Sequence, residues 1–448
     1  MAGEIEIRRR RVGAGSPLFV IAEIGKVYYR EPGQSHLQEP IVTIAVITLS
    51  IACLCAAALI CLPFQPRRVL FKPVLNTELL RIVAVFTFIV GMGSFLLAQF
   101  CGVTEEGSIQ LGGMAGVLRR VSGCAPLAIV AGTAYTILNS NGARLFSTYN
   151  GLPFFSQIAI GILFTSKQGL FDPLFYLVAT GMAFRYTWRF VHLTLGVIAA
   201  LLAIFVLFPF AQVARNYTRG ANIKDTYQKT LAFFDDNLRN PRFLIDQYLD
   251  YREDLSKDDT GRYFDNPSGL LERMSLIKPA DSLINATVQK GASGWTTINS
   301  GLADLVPRLI LPRRYVNVPN ELGFKAGFVD EDNFGTSISF GFAADAFSSF
   351  KWAGVAIISF VVGLVLVAVT RLLTAGLHSN IWAVVFLGSY QLTIAEASFG
   401  GVLQIFVYQT AWIVATFCGV LLAAWLWLYV TRIPASLVTP TVPESKAL

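Results

Sequence analysis

The chain has 448 residues, of which 54% are hydrophobic and only 15% charged, with a formal net charge of +7 and a mean hydropathy of +0.55. This composition excludes an ordinary soluble domain and indicates a polytopic membrane protein. The polar stretch from Ala211 to Phe350 contains 16 Lys/Arg and 18 Asp/Glu, so the positive excess lies in short loops and the N-terminal tail. Basic residues in those places orient a membrane protein, and we expect no nucleic-acid partner.

Long apolar runs on both sides of the polar stretch predict membrane-spanning helices, because about 20 apolar residues are enough to cross a bilayer. We therefore expect an all-α, polytopic transmembrane helical bundle of about nine or ten spans, with a large and mainly helical periplasmic loop. The candidate spans are Ile41–Leu62, Leu79–Gln99, Gly123–Leu138, Leu152–Thr165, Leu170–Phe184, His192–Phe210, Trp352–Leu372, Ile381–Ala397 and Val402–Val430.

The N-terminal segment leaves two interpretations open. Arg8 to Arg11 favour a cytoplasmic tail, which needs one more crossing near Pro17–Tyr29, but that stretch is short and contains Glu23 and Lys26. A re-entrant or interfacial helix fits equally well. The expected domains are an N-terminal tail (1–40), an N-terminal transmembrane bundle (41–210), a periplasmic loop domain (211–350), C-terminal transmembrane helices (351–433) and a cytoplasmic tail (434–448).

The charges of the loops predict which ends of the spans face the cytoplasm, because short inner loops carry an excess of Lys and Arg. The residues expected inside are Arg67, Arg68, Lys72, Arg81, Arg144, Arg185, Arg189, Arg371 and Arg432. This orientation places the acidic pair Glu105-Glu106, Lys167 and the whole polar stretch outside. Arg119 and Arg120 then fall outside as well, which is the one conflict with the rule.

Cysteine and histidine usage argues against a metal site or a disulfide framework. All six cysteines lie in or beside apolar runs, and the three histidines are widely scattered. The sequence contains neither an HExxH nor a CxxC motif. We therefore expect no metal and no cofactor built on these ligands.

Three clusters in the polar stretch carry candidate chemistry: Leu271–Lys278, Leu305–Arg314 and Asp330–Asp345. In the second, Arg308 lies one residue after a proline within an apolar run, where an unpaired guanidinium would be costly. Arginine is suited to bidentate capture of phosphate, so we interpret Arg308 as functional. For Arg313 and Arg314, contact with lipid headgroups at the membrane surface is the stronger interpretation from position alone.

Two further residues have both a functional and an ordinary interpretation. Lys167 joins two apolar runs on the external side, where it either binds a phosphate or is a simple loop cation. Glu396 lies within an apolar run, and carboxylates at membrane depth are functional candidates by default. Near the outer end of its span, Glu396 equally well reaches water.

The order of several segments resembles the bacterial O-antigen and oligosaccharide repeat-unit polymerases of the Wzy type, from about Leu152 to Leu373. The segments are the Ser-Lys-x-Gly turn at Ser166–Gly169, the basic inner turn Arg185–Arg189, Glu-Arg-x-Ser at Glu272–Ser275, Val-Pro-Arg…Pro-Arg at Val306–Arg313, and Asp345. Asp345 stands where members of the family often carry Glu. Each segment is degenerate, and their order and spacing carry the resemblance.

The resemblance implies a multi-pass glycosyltransferase of the GT-C type in the bacterial inner membrane, which polymerises polyprenyl-diphosphate-linked repeat units without a metal or a nucleotide sugar. The implied diphosphate ligands are Arg308, Arg273 and Lys167, followed by Lys278, Arg313 and Arg314. Asp345 is the implied base, with Glu396 second. The implied partners are the lipid-linked glycan and the bilayer, with a flippase and a chain-length regulator as further candidates.

Two other functions compete with this one. The related O-antigen ligases use a histidine in the periplasmic loop, and Ala211 to Phe350 contains none, which favours a polymerase. A transporter or flippase of lipid-linked glycans would be expected to show internal repeats or paired broken helices. The sequence shows no repeat, and the large late polar stretch does not fit a carrier.

Overall fold

A computed structural model describes residues 37–101 and 117–192 with short gaps, 277–303, 318–327, 340–374, 379–391 and 398–431, together with a few single residues between 194 and 235. Within these ranges the chain forms helices and turns and no strand. The helices are α1 (Pro40–Cys61), α2 (Thr77–Cys101), α3 (Ala125–Asn139), α4 (Thr148–Leu163), α5 (Lys167–Ala183), α6 (Ile277–Lys290), α7 (Thr296–Ala303), α8 (Val318–Lys325), α9 (Phe342–Thr374), α10 (Ile381–Gln391), α11 (Phe399–Gln404) and α12 (Thr410–Thr431). A 3-10 turn (Ser122–Cys124) precedes α3, and a π-helical turn (Ile405–Gln409) joins α11 to α12.

Four segments of the described part are long and apolar enough to cross a membrane. They are Pro40–Cys61, Thr77–Ala98, Phe342–Thr374 and Phe399–Val420, and Gly169–Ala183 is a shorter apolar helix. The expected helical architecture, with helices able to span a membrane, is therefore confirmed in the described part. The full number of spans and the periplasmic position of the polar stretch stay predictions.

The contacts divide the chain into two compact units, each built from segments that are distant in the sequence. Unit 1 comprises Met1–Val69, Leu249–Ala375 and Ser389–Thr410, and its described helices are α1, α6 to α9 and α11. Unit 2 comprises Leu70–Tyr248, Gly376–Gly388 and Ala411–Leu448, with α2 to α5, most of α10, and α12.

In unit 1, α1 and α9 pack side by side and run in the same direction. The hydroxyls of Ser50 and Ser359 lie 2.8 Å apart, and a Cβ added at Gly363 would meet the Cβ of Ala57 at 2.9 Å. At the end of α1, the guanidinium of Arg371 donates a hydrogen bond to the carbonyl of Cys61. A cation at this position satisfies a terminal carbonyl and complements the helix dipole.

Helix α6 is anchored to the first turn of α1 by a buried carboxylate. Asp281 accepts hydrogen bonds from the backbone N–H groups of Gln38 (2.6 Å) and Glu39 (3.0 Å) and from the hydroxyl of Thr43 (2.8 Å). These donors belong to the end of the helix where backbone N–H groups lack partners within the helix and where negative charge is favourable. Asp281 therefore caps α1 from a different part of the chain.

The apolar face of α6 completes the core of unit 1. Leu283 and Ile284 are fully buried against Val46 of α1 and Phe347 of α9. Burying aliphatic and aromatic side chains of this size contributes about 1.5–3 kcal/mol each. The helix is thus a fixed part of the unit.

Helix α9 is broken sharply at Phe350 and Lys351. Lys351 has φ 51° and ψ −136°, a conformation that favours glycine, and Phe350 is also non-helical. Gly354 permits the bend, because a Cβ there would lie 2.2 Å from the carbonyl oxygen of Ala346. The break separates a short helix before Phe350 from a long apolar helix beginning near Trp352, which is where the sequence predicts the span to start.

Unit 2 is held by close approaches between helices and by buried polar contacts. A Cβ at Gly132 of α3 would lie 2.5 Å from the carbonyl of Tyr149 in α4, so these backbones are in direct contact. Beside this contact, the side-chain amide of Asn150 donates to Thr133 (3.0 Å) and to the carbonyl of Leu145 (2.8 Å). Small residues with satisfied polar groups are the usual way for apolar helices to pack closely.

Candidate functional site

Asp345 is the predicted site residue whose side chain belongs to the described part of the chain. It lies in the first turn of α9 and is 1% exposed. Its Oδ2 accepts a hydrogen bond from the backbone N–H of Phe399, at the first residue of α11, at 2.9 Å. Its Oδ1 is buried and has no hydrogen-bond partner among the residues that the structure describes.

The surroundings of Asp345 are formed by α7, the short helix of α9 and the start of α11. The ring of Phe342 stacks on that of Phe399 with centroids 6.3 Å apart. Gly301 of α7 approaches α11 so closely that a Cβ there would lie 2.9 Å from the Cα of Gly400. We call Gly301, Asp345 and Phe399, together with Thr297 one helical turn before Gly301, the Asp345 junction.

Thr297 is the second polar group of the Asp345 junction. It lies one helical turn before Gly301, so both residues occupy the same face of α7. Thr297 is 3% exposed, and its hydroxyl also lacks a hydrogen-bond partner within the described ranges. Two buried polar side chains of the junction therefore have unused hydrogen-bonding capacity, which is uncommon in folded proteins.

The two buried aspartates of unit 1 differ in how their carboxylates are satisfied. Asp281 accepts three hydrogen bonds, whereas Asp345 accepts one. Burying a carboxylate with few partners costs several kcal/mol, so Asp345 is poised to take up a proton or to contact a group with a donor. The oxygen of Asp345 that has no partner in the described part is chemically able to take up a proton, whereas the carboxylate of Asp281 is already engaged by three donors.

The cationic residues expected to bind diphosphate are described only in part. Lys167 begins α5 and Lys278 is the second residue of α6, and their side chains lie outside the described part. The following predicted site residues lie outside the described residues altogether: Arg273, Arg308, Arg313, Arg314 and Glu396. The structure therefore gives the position of α6, which carries Lys278. It also gives the position of the Asp345 carboxylate on α9.

Sequence reasoning missed the partners of Asp345. Phe399 follows Asp345 by 54 positions and contributes through its backbone, which no side-chain pattern reveals. Thr297 and Gly301 carry a weak signal, since a small residue one turn after a threonine marks a face suited to close packing. Nothing in the sequence connects that face to Gly400.

Acidic and metal-binding residues do not cluster in the described part. It contains no group of three or more His, Cys, Asp or Glu side chains able to hold a metal ion. The acidic run Asp330–Asp332 lies outside the described residues. The polar side chains of the Asp345 junction are the carboxyl of Asp345 and the hydroxyl of Thr297.

Comparison with known protein families, with characterised proteins and with solved structures finds no match for this chain.

Proposed function

We propose that this protein is a membrane polysaccharide polymerase that joins polyprenyl-diphosphate-linked oligosaccharide repeat units on the periplasmic face of the bacterial inner membrane. The observation that carries the proposal is the buried carboxyl of Asp345, with one oxygen on the N–H of Phe399 and the other unpartnered in the described part. The order of the basic segments along the sequence supports the same function.

The reaction needs a proton acceptor, which Asp345 supplies. A hydroxyl at the non-reducing end of one repeat unit attacks the anomeric carbon of a second glycan. The new glycosidic bond forms as the bond from that carbon to the diphosphate breaks, and polyprenyl diphosphate leaves with the bonding electrons. The hydroxyl proton passes to Asp345, whose charged form has few hydrogen-bond donors around it.

The leaving group needs positive charge, because negative charge builds on the diphosphate as its bond to the sugar breaks. Arg308, Arg273 and Lys167 are the proposed ligands of that diphosphate, supported by Lys278, Arg313 and Arg314. Fixed cations at a site that excludes water stabilise such charge far better than solvent does. Lys278 lies at the start of α6, whose core packing and Asp281 contact hold the helix backbone in place.

A flippase for the same lipid-linked glycan is the competing function. A buried carboxyl alone does not separate the two functions, because carriers also use such groups as proton relays. The sequence shows no internal repeat and carries one large late polar stretch, and both features favour an enzyme over a carrier. An O-antigen ligase would transfer the glycan to a different acceptor. The absence of histidine between Ala211 and Phe350 favours the polymerase over that ligase.

The test is to supply the purified protein in liposomes with lipid-linked repeat units and to identify the products by mass spectrometry. A polymerase yields longer glycans on polyprenyl diphosphate together with free polyprenyl diphosphate. Redistribution of the substrate between leaflets without any new glycosidic bond would assign a flippase. Transfer only to a different added acceptor would assign a ligase.

Substitutions of Arg308 are the most specific variants to test in this assay. Lysine keeps the charge but loses the bidentate geometry, so Arg308→Lys loses much of the turnover and Arg308→Ala nearly all of it. The matched control is Arg81→Ala, because Arg81 pairs with Glu78 at 2.6 Å on a solvent-accessible helix start. Wild-type polymerisation by Arg308→Ala would make Arg308 a headgroup contact and remove it from the site.

A further inference from the structure

The loops that follow α3 and α5 in unit 2 are locked together by hydrogen bonds. The backbone N–H and the hydroxyl of Thr187 both donate to the carbonyl of Gly142, at 3.3 Å and 2.5 Å. The N–H of Ser379, just before α10, donates to the carbonyl of Ala183 at 3.0 Å. Three loops therefore meet at one end of unit 2, and hydrogen bonds fix their positions relative to one another.

This end of unit 2 presents three exposed arginines. Arg144, Arg185 and Arg189 are exposed, and none of them has a carboxylate partner among the residues that the structure describes. The stretches 140–147 and 184–192 contain no acidic residue. Arg185 has φ 57°, a left-handed conformation that is costly for a residue with a side chain, and the hydrogen bonds of the turn hold it there.

Large apolar side chains are exposed beside these arginines. Phe146 is 47% exposed, Phe190 is 83% exposed and Val191 is 62% exposed. We call these residues, together with Arg144, Arg185 and Arg189, the basic loop surface. A soluble anion would engage the arginines and leave Phe190 and Val191 in water, whereas the layer between headgroups and acyl chains accommodates both kinds of side chain.

We propose that the basic loop surface binds the phosphate groups of anionic phospholipids and selects them over zwitterionic ones. The arginines contact the phosphates, and Phe146, Phe190 and Val191 enter the acyl-chain boundary. The charge complementarity is strong, because the surface carries three cations and no acidic residue within its two loops. The proposal concerns a lipid that is not consumed, so it is independent of the polymerase reaction.

The test titrates the full-length protein in neutral detergent with phosphatidylglycerol or phosphatidylcholine of the same acyl chains and follows the thermal unfolding midpoint. A ligand that binds the folded state raises this midpoint according to its affinity. Wild type is expected to respond at lower concentrations of phosphatidylglycerol, with the preference reduced by high salt. The variant Arg144→Gln/Arg185→Asn/Arg189→Gln should lose affinity for this lipid by on the order of fivefold per arginine removed.

Asparagine is used at position 185 because it tolerates the left-handed conformation. The triple lysine variant should retain most of the preference, since it keeps the charges. Arg81→Gln is the matched control and should bind like wild type, because Glu78 already pairs with Arg81. If the triple variant does not fold, Arg144→Gln and Arg189→Gln are measured singly. An unchanged preference in these variants, or an equal loss in Arg81→Gln, would overturn the proposal.

Discussion

Asp281 and Asp345 are both 1% exposed, yet their carboxylates differ in the number of hydrogen bonds that they accept. Asp281 meets three donors at the start of α1 and serves the fold. Asp345 meets one donor, the N–H of Phe399, and retains a buried oxygen without a partner in the described part. At the scale of single residues, burial alone therefore does not distinguish these two carboxylates, whereas the number of hydrogen-bond donors around each one does.

Replacing each aspartate by asparagine should affect the stability of the folded protein differently. Asp281→Asn loses charge-assisted hydrogen bonds and turns an amide N–H₂ toward backbone donors, so the free energy of unfolding should fall by about 1–3 kcal/mol. Asp345→Asn keeps an acceptor for Phe399 and removes a costly buried charge, so its unfolding midpoint should equal or exceed that of wild type. Thermal unfolding in detergent measures both, and a larger loss in Asp345→Asn would reverse the assignment.

The break in α9 is the feature that positions Asp345 at the scale of elements. The carbonyls of Ser348 and Ser349, at the end of the short helix, accept the N–H groups of Ser293 and Gly294 at 2.7 Å and 3.0 Å. These bonds satisfy helix-terminal carbonyls and tie the short helix to the segment before α7. The Asp345 junction therefore depends on the bend between Phe350 and Lys351.

The substitution Gly354→Ala tests whether the Asp345 junction depends on the bend in α9. The new Cβ would lie 2.2 Å from the carbonyl oxygen of Ala346, so the bend must shift, and both stability and polymerisation should decrease. Gly93→Ala in α2 is the matched control, because a Cβ added there would meet nothing within 4 Å and alanine is the better helix former by about 1 kcal/mol. Comparable losses in the two variants would show that the bend is not the cause.

At the scale of the whole molecule, the central prediction is the orientation of the chain in the membrane. Helices α1 and α9 run in the same direction, so Cys61 and Arg371 lie at the same end of unit 1. Basic residues at such ends face the cytoplasm, which places the starts of both helices outside. We therefore predict that the polar stretch before α9 is periplasmic and that the proposed site faces the periplasm.

Cysteine labelling in intact spheroplasts measures this orientation. In a variant without native cysteines, cysteines placed at Ser256 or Ser300 should react with an impermeant thiol reagent, and a cysteine at the exposed Ala143 should react only after lysis. The positive-inside distribution of loop charges is the physical reason. Labelling of Ser256 and Ser300 variants only after lysis would invert the orientation and move the site to the cytoplasmic face.

The sequence predicts elements better than it predicts contacts between them. It predicts a span at Ile41–Leu62, and α1 covers Pro40–Cys61, because a long apolar run has few alternatives to a helix. The predicted span start at Trp352 lies directly after the break at Lys351. The hydrogen bonds of Asp281 and Asp345 are not predictable, since backbone donors far along the chain leave no periodic pattern.

The most direct test of the account is polymer formation from lipid-linked repeat units by Asp345→Asn and Asp281→Asn, each normalised to folded protein. Asparagine cannot accept the hydroxyl proton, so Asp345→Asn should lose nearly all turnover while remaining folded. Asp281→Asn should keep most of its turnover per folded molecule despite lower stability, since its carboxylate caps a helix. Polymerisation by Asp345→Asn at the wild-type rate would contradict the central claim that Asp345 is the proton acceptor.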